Sequence, residues 1–197
     1  PVQGIAANDS VGLVRVDSVQ VADLVLLHQV AGLMEESAIG EMTMDDAKFG
    51  GVLGFDFLSR FPILIDYQSY ELTVFHPDQF VPPDGGTEIP FRLHMKVPTV
   101  SAEISGVPGE FLLDLGNAIG LILHGDFVRR TGLETQLRDI HELSGGMLGV
   151  GGATTMRGAT APSFVFGGLE LGPTAVFLPQ SAGGISASTR ISGNIGN

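Results

Sequence analysis

Apolar residues in this chain come in short runs, and glycine, proline or aspartate cuts each run after a few positions. There are 28 glycines and 11 prolines to do the cutting. Val, Ile, Leu and Phe fill the runs, a pattern that suits strands joined by tight turns better than a helical bundle. The expected fold is therefore all-β, with one or two short helices. A chain of 197 residues with 44% hydrophobic content can bury an ample core, as one large domain or two small ones. A formal charge of −12, with only ten dispersed Lys and Arg, argues against nucleic acid or an anionic membrane as the main partner. No apolar run approaches the ~20 residues of a membrane-spanning helix, so no membrane partner is expected. The absence of cysteine removes disulfides and thiolate metal sites.

One run is chemically conspicuous. Phe111-Leu112-Leu113-Asp114-Leu115-Gly116-Asn117-Ala118 places a single carboxylate at the end of an apolar strand, and Ile119 to Leu123 resumes the apolar pattern after a turn. An ionised carboxyl taken out of water costs several kcal/mol unless it is hydrogen-bonded or shares a proton, which makes Asp114 a candidate for chemistry. The competing reading is an Asp that caps a turn before glycine.

Along the chain, residues 1–10 read as loop. Val11 to Gln29 reads as a hairpin of Gly12 to Val16 with Val21 to Leu27, its turn at Asp17-Ser18. The acidic stretch 31–49 reads as an exposed connection with a solvated acidic face. Asp56 to Phe61 reads as a short helix stopped by Pro62, followed by a hairpin turning at Asp66 to Tyr70. Asp56 and Asp66 are expected to cap these elements. The Pro- and Gly-rich segment 77–86 reads as a linker. Beyond it, Ile89 to Leu93 and Val97 to Ile104 alternate as half-buried strands, Gly106 to Gly109 reads as a turn, and residues 124–133 as a helical turn stopped by Gly132. Phe164 to Leu171 and Thr174 to Leu178 read as a further hairpin, like the one near the start, which suggests an internal repeat. The five histidines (His28, His76, His94, His124, His141) lack ligand spacing and read as strand or loop residues. No metal or other cofactor is expected.

Gly145-Gly146-Met147-Leu148-Gly149-Val150-Gly151-Gly152 is dense enough in glycine to form a strand pair whose tip bends without steric cost. A lid over a substrate and a plain glycine-rich turn both fit it. A phosphate loop needs a following Lys-Ser/Thr and a helix, and Ala153-Thr154-Thr155 supplies neither. There is likewise no Gly-x-Ser-x-Gly elbow.

Three segments together carry a resemblance. Leu112-Leu113-Asp114-Leu115-Gly116-Asn117 resembles the apolar-apolar-Asp-Thr/Ser-Gly-Ala/Ser segment of retropepsin-like aspartic peptidases. The glycine hairpin after it resembles that family's flap. Gly51-Val52-Leu53-Gly54-Phe55-Asp56-Phe57-Leu58 resembles its Ile/Val-Leu-Gly-x-x-Phe-Leu segment, and Ile191 to Asn197 matches residues 51–55 in kind. Leu115 stands where the family has the hydroxyl residue that locks two active-site loops together, and Asn117 where it has a small residue.

The resemblance is to the bacterial tandem type, and it implies an organisation. Residues 1–80 would be the second half of a first retropepsin-like domain, 81–86 a linker, and 87–197 a second domain lacking its closing helix and hairpin. Residues 1–80 could instead complete 87–197 as one permuted barrel. The natural polypeptide would extend at both ends. The resemblance further implies an aspartic endopeptidase with Asp114 as half of a catalytic dyad. Leu115, Gly116 and Asn117 would form the active-site loop, and Met147, Leu148, Gly149, Val150, Gly151 and Gly152 the flap over a peptide or protein substrate. The second carboxylate would come from a homodimer partner or from a first-domain half in the same polypeptide. A periplasmic or extracellular location is implied. The alternative is an inactive retropepsin-like module that binds peptides or self-associates.

Overall fold

The computed structural model describes residues 2–3, 8–9, 12–33, 50–149, 152–180 and 183–197. Among these the chain is predominantly strand, with two short α-helices, as the sequence leads one to expect. Strands β1 (Val2–Gln3) and β2 (Asn8–Asp9) pair antiparallel. Strands β3 (Gly12–Val21) and β4 (Leu24–Leu33) make a long hairpin. Its turn is Ala22-Asp23, not Asp17-Ser18, because Val21 and Leu24 close a two-residue loop with Ala22 at φ 49°. Asp17 and Ser18 therefore lie within the strand.

Helix α1 (Phe55–Leu58) is shorter than the span to Phe61 that Pro62 alone suggests. Gly54 supplies no side-chain cap, and the helix ends at Ser59, whose amide donates to the Phe55 carbonyl. Strands β5 (Ile63–Asp66) and β6 (Glu71–Val74) then form the expected hairpin. Asp66 builds its turn, with Oδ1 accepting from the Gln68 and Ser69 amides at 2.8 and 3.2 Å. Asp56 lies in the first turn of α1 but caps nothing: the N-cap is Gly54, and the Asp56 carboxylate pairs instead with Lys96, 40 residues away, at 3.1 Å.

The rest of the chain builds one ten-stranded sheet. Its members are β7 (Arg92–His94), β8 (Val97–Ile104), β9 (Val107–Leu113), β10 (Leu121–Leu123), β11 (Arg138–Gly149), β12 (Gly152–Ala161), β13 (Phe164–Phe166), β14 (Leu169–Glu170), β15 (Thr174–Pro179) and β16 (Gly193–Ile195). The spatial order is β11-β12-β15-β10-β16-β9-β8-β13-β14, with β7 on β8. Two sequence expectations shift here. The turn before β9 is Ser105-Gly106, both at positive φ, so Val107 and Pro108 already belong to the strand. Residues 164–178 do not form a hairpin: β13 pairs with β14 and β8, while β15 lies between β12 and β10. The pair that matches β3–β4 in length is β11–β12.

Helix α2 (Gly125–Thr131) stops at Gly132, which takes φ 66°. It covers a core of Val100, Ile104, Phe111, Leu123, Phe127 and Val176, each at most 1% exposed. Phe111 and Phe127 meet edge to face, their centroids 5.9 Å apart. Among the described residues, Phe57 is the sole buried apolar side chain before residue 97. The early hairpins thus stand outside the main core, though Tyr67 Oη donates to Asn197 Oδ1 at 2.5 Å and Lys96 ties the sheet to α1.

Candidate active site

The sheet order creates the site. β9 and β10 are consecutive in sequence, yet β16 lies between them, parallel to β9 and antiparallel to β10. The connection 114–120 must therefore arch across the end of β16, and three backbone hydrogen bonds fasten it there. The Asp114 amide donates to Ile195 O, the Gly196 amide to Gly120 O, and the Asn197 amide to Asn117 O, each at 2.9 Å. The close packing of β16 and the residue after it leaves no room for a side chain at two positions. A Cβ on Gly196 would meet Asn117 O at 2.2 Å, and one on Gly193 would meet Ile122 O at 2.1 Å.

Within the arch, Asp114 is half-buried and its two carboxylate oxygens are held differently. Oδ1 accepts from the Gly116 amide at 3.1 Å, and Oδ2 accepts from Asn194 Nδ2 at 2.9 Å. Leu115 points outward at 52% exposure. Asn117 is buried and braces the loop from inside: its Nδ2 donates to Gly120 O at 2.6 Å, and its Oδ1 accepts from the Ile119 amide at 3.1 Å. A small residue cannot make those bonds, so Asn117 supplies a local brace of its own. Met147, Leu148 and Gly149 lie in the β11–β12 ladder opposite Thr154, Ala153 and Gly152. Val150 and Gly151 lie outside the described residues.

The sequence did not single out Asn194. It is 3% exposed, and its other amide end, Oδ1, lies 2.9 Å from His124 Nε2. His124 is 1% exposed, with Nδ1 3.1 Å from Ile191 O. Burial, the dominant influence, holds the His124 imidazole below its ordinary titration range, against the opposing pull of the Asn194 and Ile191 bonds. A row of His124, Asn194 and Asp114 thus runs from the core to the loop. The match between Ile191–Asn197 and residues 51–55 marked the strand, but nothing in its pattern marked the amide. Among the described residues, no group of three or more His, Cys, Asp or Glu side chains is placed to hold a metal ion.

No family model matches the chain, and no curated protein matches it. Solved structures resemble it, two of them as follows. One is the EIAV protease complexed with the inhibitor HBY-793, 19% identical, with a TM-score of 0.39, over 52% of this chain and 83% of that one. The other is a retropepsin-like aspartic protease from Rickettsia conorii, 19% identical, with a TM-score of 0.41, over 56% of this chain and 75% of that one.

Proposed function

We propose that Asp114 is one of two carboxylates that activate water for hydrolysis of a peptide bond. The observation that carries this reading is the way the acid is held. A carboxylate at a strand end, with one oxygen on a loop amide and the other on a buried side-chain amide, is fixed in orientation and still half-open to a reactant. Two such groups about 3 Å apart cannot both ionise, so one acts as base on water while its protonated neighbour polarises the scissile carbonyl. The second carboxylate is supplied by another copy of the chain about a two-fold axis, or by a further half-site in a longer polypeptide. The β11–β12 hairpin acts as the lid, ordering an extended peptide and excluding water.

One observation favours a second reading, a peptide-binding or self-associating module without catalysis. Leu115 is exposed and has no hydroxyl, so the lock between two active-site loops that the family makes at this position has no donor here. Hydrolysis of a fluorogenic peptide library at mildly acidic pH, by the parent and by Asp114→Asn, separates the two. The peptidase reading expects turnover that Asp114→Asn lowers at least ~100-fold, the scale of a lost general base. Equal turnover in both forms removes Asp114 from the chemistry. Peptide retention without turnover in either form establishes the binding module.

A further inference from the structure

The three-residue row behind Asp114 has a hydrogen-bonding conflict that only proton placement resolves. Ile191 O is an acceptor and nothing else, so His124 Nδ1 must carry a proton to bond it. A neutral ring then presents a lone pair at Nε2, which faces Asn194. Asn194 has one accepting end and one donating end, and its other neighbour is Asp114 Oδ2. With Oδ1 toward His124 and Nδ2 toward Asp114, both bonds form only if the ring is an imidazolium, and the carboxyl needs no proton of its own to accept. A half turn of the amide reverses the requirement: Nδ2 donates to a neutral ring, and Oδ1 accepts from a protonated Asp114. The two arrangements hold the same number of protons, two on the ring and none on the carboxyl, or one on each. Taking that shared proton away leaves a neutral ring and an ionised carboxylate, and the amide can then serve only one of them. A buried lone pair facing a carbonyl is left without a partner, so the row resists that state.

We propose that Asn194 is a positioning residue that makes His124 and Asp114 bind one proton jointly, its amide orientation recording which of them holds it. This deepens the proposed function, since it sets how a proton is kept at the carboxylate that is to work on water, and it rests on that reading only for its purpose. The other charged groups on the surrounding elements are already engaged or exposed. Asp126 on α2 pairs with Arg129 and Arg130, Glu110 on β9 bonds Ser101, and Arg190, just before Ile191, is exposed. β10 and β15 contribute no titratable side chains there. Asp114 is therefore the carboxylate that reaches His124 through a hydrogen-bonded chain. The burial that disfavours an imidazolium at His124 inclines the row toward the neutral ring and the turned amide.

The test is NMR on the intact chain without substrate, following the His124 ring nitrogens and the Asp114 carboxyl carbon from pH 8 to pH 3. The expected results are a neutral ring protonated at Nδ1 and a first protonation step that both probes report with a common midpoint. Asn194→Leu should split that step into two independent ones. Asp114→Asn, at a half-exposed position that tolerates the isostere, should remove that first step from the His124 signal, because the ring then has no acid with which to share the proton. A neutral ring protonated at Nε2, independent midpoints in the parent, or a first step that His124 still reports in Asp114→Asn would each overturn the relay. A protein that shows the common midpoint yet cleaves no peptide overturns the peptidase reading and leaves the relay intact.

Discussion

Gly196→Ala tests the geometry on which the site depends, the passage of the Asp114 loop across the end of β16. A methyl group at 196 would lie 2.2 Å from Asn117 O, 2.5 Å from its Cγ and 2.6 Å from its Nδ2. These distances are far inside contact, and the nearest atom is backbone, so no rotamer change relieves the clash. The loop must lift from the strand. Lifting it loses the Gly196-to-Gly120 and Asn197-to-Asn117 hydrogen bonds, about 1 kcal/mol each, on top of ~1–3 kcal/mol of overpacking. A loss of about 3–5 kcal/mol is expected, a large part of a typical folding free energy of ~5–15 kcal/mol. With a slope of ~2 kcal/mol per molar urea, the unfolding midpoint should fall by roughly 1.5–2.5 M. Asn117→Ala in the same chain should restore none of it, since the carbonyl at 2.2 Å remains. Gly125→Ala is the control: a Cβ there meets nothing within 4 Å at the start of α2, and the change should be neutral or slightly stabilising. If Gly196→Ala unfolds within about 0.3 M of the parent, or Asn117→Ala rescues it, the loop does not cross the strand as described.

Other consequences follow from named contacts. Phe127→Ala empties a fully buried site packed edge-on against Phe111 and should cost ~3–5 kcal/mol by urea unfolding; a loss under about 1 kcal/mol would mean that α2 does not cover the core. His124 is held below its ordinary value of 6.5, so in acid the unfolded chain takes up a proton there that the folded protein refuses. Stability is thus complete above about pH 6.5, falls as pH drops from there toward the folded value, and levels off below it. His124→Gln should flatten that part of a pH series of urea midpoints, and an unchanged slope would count against the burial. Asp66 is held below its ordinary value of 3.8, chiefly by the Gln68 amide and then by Ser69, so its contribution is present above that value and is lost as pH falls through the folded one. Asp66→Ala should make the Tm less steep between pH 5 and pH 2, and equal acid slopes would refute the turn's role. Leu115→Thr, at an exposed position, should shift stability by no more than about 0.5 kcal/mol, which circular dichroism melting checks directly.

How far the sequence could be followed depended on whether the deciding force was local. Asp66 and Gly132 were legible because an Asx turn and a left-handed helix stop are settled by residues within a few positions of them. The turn at Ala22-Asp23 was not, since Asp17-Ser18 has the better turn chemistry and gives way only because ten residues on each side gain a continuous ladder. β15 misled for the same reason at longer range. Its neighbour in sequence is β14, but its apolar residues are buried by pairing with β10 and β12, and nothing between positions 164 and 178 encodes that choice. The site divides along this line too. Asp114, Gly116 and Asn117 stand together in one segment, and an acid at the end of an apolar run announces itself through its desolvation cost. Asn194 and His124 come 80 and 10 residues later and, as isolated polar residues, look like ordinary loop positions. What makes them more than that is β16 inserting between β9 and β10, which brings an amide from near the chain's last residue against the carboxylate and an imidazole against the amide. A pattern search keyed to the acid therefore finds the group that would react and misses the groups that set its hydrogen bonds. Asn194 lies on the strand that the loop is forced to cross, so the packing that leaves no room for a side chain at Gly196 also delivers Asn194 to Asp114.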